Sequence, residues 1–373
     1  MQQITTQHPW NYNHFWNEPG TYLLENNAAA ACISQSPDCE VETRDWRKTT
    51  GFSPIACKDG DKILIVRPGA YGDLLMLTPT IRALRDQFPL CEVTVACAEA
   101  YMAALRGTVG VVRYPLTLKE FNNYDHCIWL EDALENNALA KETEGVEIFA
   151  ERAGIHLSTG KHLDYEVSEI EMGQVQQQIP REAGKIRIAI QCRASSPTRT
   201  YSTENWIKVI RGLWKKNCEI FLLGAPGQVA GFSGETGVVD VHNMTEVPLS
   251  FRQSAAVVKS SDLLITVDSA MMHVAGAVGT KCLSLHGAFP AEIRTANLQE
   301  NYPLTGDCSK CEIAPCHYHQ KGSQVFPAGQ ICEQEGHCVV LDDISPSVII
   351  TKASKLLNIE HHARKDANGK KIK

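Results

Sequence analysis

Apolar residues fall along this chain in two rhythms that alternate. Short unbroken apolar runs stand at Lys62 to Val66 (KILIV), Glu92 to Cys97 (EVTVAC), Val111 to Pro115 (VVRYP) and His126 to Leu130 (HCIWL). Runs of this length, rich in β-branched residues, predict strands buried on both faces. After the first of them Leu74, Leu77, Ile81, Leu84 and Phe88 recur at spacings of three and four, which predicts an amphipathic helix opening at Asp73. Pro79, inside this pattern, predicts a kink or the true first turn. The alternation lapses in the polar stretch Glu171 to Lys185, which reads as a linker. It then restarts, with strands at Ile186 to Ile190, Cys218 to Gly224, Leu263 to Val267 and Lys281 to Gly287 and helical patterns between them. Ser345 to Asn358 reads as a closing helix. Two blocks of strand–helix alternation predict an α/β protein of two parallel-sheet domains, each with helices on both faces. The expected divisions are an irregular N-terminal extension (1–60), a first domain (61–180), a second domain (185–345, with a Cys-rich loop at 306–340), the closing helix (345–358) and a basic tail (359–373).

The length of 373 residues exceeds what one core usually serves, in line with two domains. A formal net charge of -7 weighs against nucleic acid as a partner. Lys365, Lys370, Lys371 and Lys373 concentrate positive charge at the end, which reads as a solvated terminus. No apolar run has the length of a membrane span, and the N-terminus lacks the pattern of a secretory signal. Cys97, Cys127, Cys192 and Cys282 sit inside apolar runs and read as small buried hydrophobes. A reducing cytoplasm is the expected location.

Ligands of open parallel sheets bind beyond the carboxyl ends of the strands. Two strand–helix junctions there carry chemistry. The first is Arg67-Pro68-Gly69-Ala70-Tyr71-Gly72-Asp73. Gly69 and Gly72 permit close backbone approach, and Asp73 at a helix start is either a cap or a general base. The second is Asp268-Ser269-Ala270-Met271-Met272-His273, a helix start suited to an anion. His273 there is either a core histidine or a ligand to phosphate or ribose. Gly224 ends a further strand of the same domain, and Arg193 and Arg199 follow another; their guanidinium forks suit a diphosphate.

Together these motifs resemble glycosyltransferase family 9, the ADP-heptose:lipopolysaccharide heptosyltransferases, from about Lys62 to Asn358. The resemblance lies in Gly72-Asp73 after a strand, in Asp268-Ser269-x-x-x-His273 after another, and in Arg199 shortly before Tyr201-Ser202-Thr203-Glu204-Asn205-Trp206. Ala270 stands where the family has glycine, and Tyr201-Ser202 where it has Trp-Pro. The resemblance implies a GT-B fold, two Rossmann-like domains facing across a cleft, with the acceptor on the N-terminal half beside Gly69 and Gly72. It implies inverting transfer of a heptose or similar sugar from a nucleotide-diphosphate donor to a cell-envelope glycan or glycolipid such as lipopolysaccharide core. Asp73 would be the base. Arg199, Gly224, Asp268, Ser269, Ala270 and His273 would hold the donor. No metal or other cofactor is implied for catalysis. A glycolipid acceptor would bring the chain to the inner face of the membrane as a peripheral protein. Other readings keep the scaffold: transfer to a protein or a modified nucleic-acid base, an epimerase, or a non-catalytic nucleotide-sugar-binding protein.

One cluster lies outside this scheme. Cys308, Cys311, Cys316, Cys332 and Cys338 crowd the segment before the closing helix. The spacing of the first pair suits zinc, so Cys308, Cys311, Cys316 and Cys338 are candidate ligands of a structural zinc. Reduced, packed thiols are the other reading.

Overall fold

A computed structural model of the chain describes residues 2–12, 15–24, 26–36, 38–43, 56–131, 133–134, 137, 139–140, 142–195, 197–225, 229, 241–244, 246, 249–287, 289–307, 309 and 337–359. The chain divides into two units, residues 1–164 and 165–373.

The first unit opens with β1 (Gln2–Thr6), β2 (Trp10–Tyr12), β3 (Phe15–Asn17), β4 (Gly20–Leu24), α1 (Asn26–Gln35) and β5 (Glu40–Thr43). β1 pairs antiparallel with both β4 and β5, and β2 with β3. The extension expected to be irregular is therefore a folded lobe. Its strands have three to five residues, too few for a period of two to register in the sequence.

The chain then runs through β6 (Lys62–Val66), α2 (Tyr71–Met76), α3 (Thr78–Gln87), β7 (Glu92–Cys97), β8 (Gly110–Arg113), α4 (Leu118–Phe121), β9 (His126–Trp129) and α5 (Gly145–Arg152). These strands form a parallel sheet in the order β8-β7-β6-β9. The helix expected from Asp73 onward is two helices that meet at Leu77, with Pro79 in the first turn of α3, where its missing N–H costs no hydrogen bond. Helices were expected on both faces. α3 does pack against β7. Leu64, Val66, Ala96 and Trp129, however, share a core with Ile4, Trp10, Tyr22, Leu24, Ala28 and Cys32 of the N-terminal lobe. An unbroken apolar strand announces that both faces are covered, not by what.

The second unit begins earlier than expected. The supposed linker is mostly α6 (Glu169–Gln178), whose Ser168 and Glu171 form a reciprocal capping box. Glu171 also pairs with Arg252, and the Arg252 guanidinium lies 5.4 Å from the ring centroid of Tyr165. The elements that follow are β10 (Ile186–Gln191), α7 (Thr203–Trp214), β11 (Cys218–Leu223), β12 (Val241–Asn243), α8 (Phe251–Ser260), β13 (Leu263–Val267), α9 (Ala270–Val278), β14 (Cys282–His286), α10 (Ala291–Thr295), β15 (Asn301–Thr305), α11 (Val339–Asp342) and α12 (Pro346–Leu356). Six parallel strands run in the order β12-β11-β10-β13-β14-β15. α7 and α12 pack together, as do α6 and α8. Arg187 is 1% exposed; it donates to the carbonyls of Ile179 and Pro180, both at 3.1 Å, and stacks 4.9 Å from the centroid of Phe221. The Glu219 carboxylate, 3.4 Å from Nη2, supplies the counter-charge that a buried guanidinium needs. Among the described residues no helix is long and apolar enough to cross a membrane.

Gly306 follows β15 and donates its N–H to the His286 carbonyl at 3.0 Å. A Cβ on Gly306 would land on the backbone carbonyl of Val340, which no side-chain rotation relieves. Gly306→Ala is expected to destabilise the protein by about 1–3 kcal/mol, as overpacking does. The midpoint of urea unfolding reads the effect, and an unchanged midpoint would contradict the packing described.

Candidate functional site

In each sheet the chain leaves a central strand, builds outward on one side, then returns to build on the other. The gap between the first strand of each side is the topological switch point, where loops diverge and leave a crevice at the carboxyl ends. In the first unit that gap lies between β6 and β9; in the second it lies between β10 and β13. The charged residues of both candidate loops sit at these two gaps.

In the first unit Arg67, the residue after β6, bridges the gap. Its Nη1 donates to the Leu130 carbonyl, just beyond β9, at 3.0 Å. Its Nη2 donates to Asp73 Oδ2 at 2.7 Å. The Arg67 side chain is 3% exposed and that of Asp73 23%, so the cation is internal and the carboxylate reaches the surface of the unit. Phe149 lies under the guanidinium, 5.5 Å from ring centroid to Cζ. Asp73 Oδ2 also accepts the Ala70 N–H at 3.0 Å. The cap reading of Asp73 therefore holds: its carboxylate closes on the first turn of α2 and pairs with Arg67 at the switch point. Gly69 runs close to Tyr101, whose ring a Cβ would approach to 3.3 Å. Gly72 lies in the first turn of α2.

In the second unit Arg199 ends a short 3-10 turn (Pro197–Arg199) after β10. Its Nη1 donates across the gap to the Asp268 carbonyl at 3.3 Å, and its Nη2 to Ser195 Oγ at 2.8 Å. The segment carrying Arg199 is anchored from behind. Tyr201 donates its hydroxyl to the Ile344 carbonyl at 2.6 Å, and Trp206 its Nε1 to the Cys192 carbonyl at 2.9 Å. Their rings meet edge to face at 5.1 Å. Ser269 is the N-cap residue of α9, but its Oγ is shared with Thr266 Oγ1 at 2.8 Å instead of closing on the helix. The first N–H groups of α9, from Ala270 on, thus start a helix with no side-chain cap.

The structure brings Arg199, Asp268, Ser269 and Ala270 together at one gap. Gly224 lies one strand further out, at the end of β11. His273 is 3% exposed, inside the unit rather than on its surface. Cys338 packs in the core with Val340 and Leu341, while Cys308, Cys311, Cys316 and Cys332 lie outside the described residues.

Two residues at this end escaped the sequence reading. Arg294 of α10 places Nε 3.5 Å from Asp268 Oδ2 and stacks 4.1 Å from the centroid of Phe289. His286, the last residue of β14, is 1% exposed, with Nε2 2.9 Å from Ser284 Oγ. Both belong to the next strand–helix junction, and inspecting every strand end in turn would have found them. Burial pushes the His286 imidazole below its ordinary value of 6.5, against the opposing pull of Asp268. The folded chain therefore keeps the ring neutral at pH values where the unfolded chain binds a proton. Its contribution to stability is full above about pH 6.5 and declines as pH falls below that value. His286→Gln is expected to flatten the loss of stability between about pH 6.5 and 5. Unfolding midpoints across that range check it, and an unchanged slope would contradict a neutral buried ring.

Two units, each built on a Rossmann-like parallel sheet with loops at its switch point, have the architecture of the GT-B class. Residues 123–321 match the profile of glycosyltransferase family 9 (heptosyltransferase), and the chain belongs to that family. The matched residues contain Arg199 and the Asp268–His273 loop, and they begin after Asp73. No curated protein matches the chain. A glycosyl transferase of family 9 from Veillonella parvula DSM 2008 has a similar structure: TM-score 0.60, 16% identity, 80% of this chain and 98% of that one covered. For E. coli ADP-heptose lipopolysaccharide heptosyltransferase II the values are 0.61, 15%, 80% and 98%. For TibC, a dodecameric iron-containing glycosyltransferase of enterotoxigenic E. coli H10407, they are 0.58, 10%, 81% and 79%, and for TibC in complex with ADP-D-beta-D-heptose 0.57, 10%, 96% and 90%.

Proposed function

We propose that this glycosyltransferase moves a heptose or a related sugar from a nucleoside-diphosphate donor to a hydroxyl group, with inversion at the anomeric carbon. The observation that supports it most is the bridge between Arg199 and Asp268 across the second switch point, next to the uncapped start of α9. A guanidinium and a helix N-terminus together suit a diphosphate, and they would stabilise the charge that develops on it as the sugar leaves. Asp73 is assigned as the base that takes the acceptor's hydroxyl proton, with Gly69 and Gly72 giving the acceptor close access to the backbone. Ser269, Ala270 and Gly224 are assigned to the donor, with His273 behind them. No step in this scheme calls for a metal. A structural metal at Cys308, Cys311, Cys316 and Cys338 is a separate proposal, tested by metal analysis of the purified chain.

A ligand that binds only the folded state raises the melting temperature. A panel of ADP-, GDP- and UDP-sugars, with the free diphosphates as controls, is expected to pick out one nucleotide. A chain stabilised by none of them, and transferring no sugar, would sink the proposal.

The acceptor has two readings. Lipopolysaccharide core would bring the protein to the inner face of the membrane. An acceptor other than lipopolysaccharide, a protein among them, is the second reading. Mass spectrometry of lipid and protein acceptors incubated with the selected donor separates the two.

A further inference from the structure

Four metal-binding side chains of three types meet at the end of the first sheet opposite Asp73. Cys57 and Asp61 flank the turn that leads into β6. Cys91 immediately precedes β7, and His126 is the first residue of β9. Because β6 lies between β7 and β9, these segments are adjacent at their amino ends. Cys57 Sγ lies 3.5 Å from Cys91 Sγ, and Asp61 Oδ2 lies 2.8 Å from His126 Nε2. The donor atoms of Cys57, Asp61 and His126 all lie within 4.8 Å of one another.

We propose that Cys57, Asp61, Cys91 and His126 form a structural site for one tetrahedral divalent cation of the zinc type. Two sulfurs, one imidazole nitrogen and one carboxylate oxygen are donors that zinc accepts together. With zinc–ligand distances of about 2.3 Å to sulfur and about 2.0 Å to nitrogen or oxygen, the tetrahedron's edges are about 3.8 Å between sulfurs and about 3.3 Å between nitrogen and oxygen. The observed 3.5 and 2.8 Å are close to those two edges, and Cys57, Asp61 and His126 already stand around one centre; Cys91 lies outside that 4.8 Å group and must swing its Sγ inward, past Cys57, to become the fourth ligand. The turn is already shaped. Lys58 N–H donates to Asp61 Oδ2 at 2.8 Å, Asp61 N–H donates to the Lys58 carbonyl at 3.1 Å, and Gly60 supplies the left-handed φ of 87°. Cys91 Sγ donates to the same Lys58 carbonyl at 3.2 Å. A cation here would tie the segment arriving from the N-terminal lobe to three strands of the sheet. The site is remote in sequence from the cysteines at 308–338, and it has no part in sugar transfer.

The test is made on the full chain, stripped by a chelator and then incubated with or without Zn2+. Iodoacetamide labelling is quantified cysteine by cysteine by mass spectrometry, which separates this site from the later cysteines. Labelling of both Cys57 and Cys91 is expected to slow with Zn2+ and to recover on renewed chelation. The C57S/C91S variant is expected to show the loss of one bound Zn2+ per chain. Should that variant not fold, H126Q is expected to abolish the zinc protection of Cys57 and Cys91. Equal labelling of the two thiols with and without Zn2+ overturns the proposal. So does recovery of Cys57 and Cys91 as a mutual disulfide from the zinc-treated chain.

Discussion

Asp73→Asn is expected to lower turnover by about 10²–10⁴, the usual contribution of a general base. Asparagine is nearly isosteric and its amide oxygen can still accept the Ala70 N–H, so the cap on α2 largely survives. The substitution removes the charge that faces Arg67 at 2.7 Å. An internal guanidinium that loses its counter-charge destabilises the fold, although Arg67 keeps the Leu130 carbonyl and the Phe149 ring. Lost stability and lost chemistry must therefore be measured apart. If Asp73 is the base, turnover stays low at temperatures where the variant is fully folded, while donor binding by the second unit is unchanged. If Asp73 serves only as a cap and counter-charge, activity follows the folded fraction and returns on cooling. The second outcome would remove Asp73 from the reaction and leave the family assignment standing, because the matched residues begin beyond it.

Arg199→Ala carries the next largest effect. An electrostatic stabiliser of a leaving group contributes on the order of 10²–10³ in turnover. The same change is expected to weaken binding of the free nucleoside diphosphate, since the guanidinium is assigned to its phosphates. Arg199→Lys separates charge from geometry. Lysine restores a positive charge but not the planar fork that reaches both the Asp268 carbonyl and Ser195 Oγ. Partial rescue of turnover is the expected result. Wild-type turnover and wild-type diphosphate affinity in the alanine variant would show that Arg199 only closes the loop. Tyr201 and Trp206 anchor that loop from behind, so the backbone near Arg199 should change little in either variant.

Much of the second unit was legible in the chain. Ile186 to Ile190, Cys218 to Gly224, Leu263 to Val267 and Lys281 to Gly287 are strands within a residue or two of where the apolar runs lie. Buried parallel strands must be apolar throughout, and that property is local. One departure has a local explanation too. The polar stretch from Glu171 was read as a linker, although Ser168 and Glu171 already spelled a capping box. The polarity there marks a helix with only Val175 buried. Residues 1–60 failed for a different reason. Their strands are short, and their core forms only when Trp10 and Tyr22 join Leu64 and Trp129, residues far away in sequence.

The order of residue types along the chain was enough to determine two alternating α/β blocks, the junctions at Asp73 and Asp268, and the resemblance to family 9. Strand burial, helix period and helix-start chemistry all act over a few residues. Only the tertiary structure decided that Arg67 bridges from β6 to Leu130 and grips Asp73, that Arg199 reaches the Asp268 carbonyl, that Arg294 and His286 join the same end, and that Cys57 meets Cys91 and Asp61 meets His126. Each of these depends on which strands become neighbours. Strand order arises from packing between distant segments, and no local pattern encodes it.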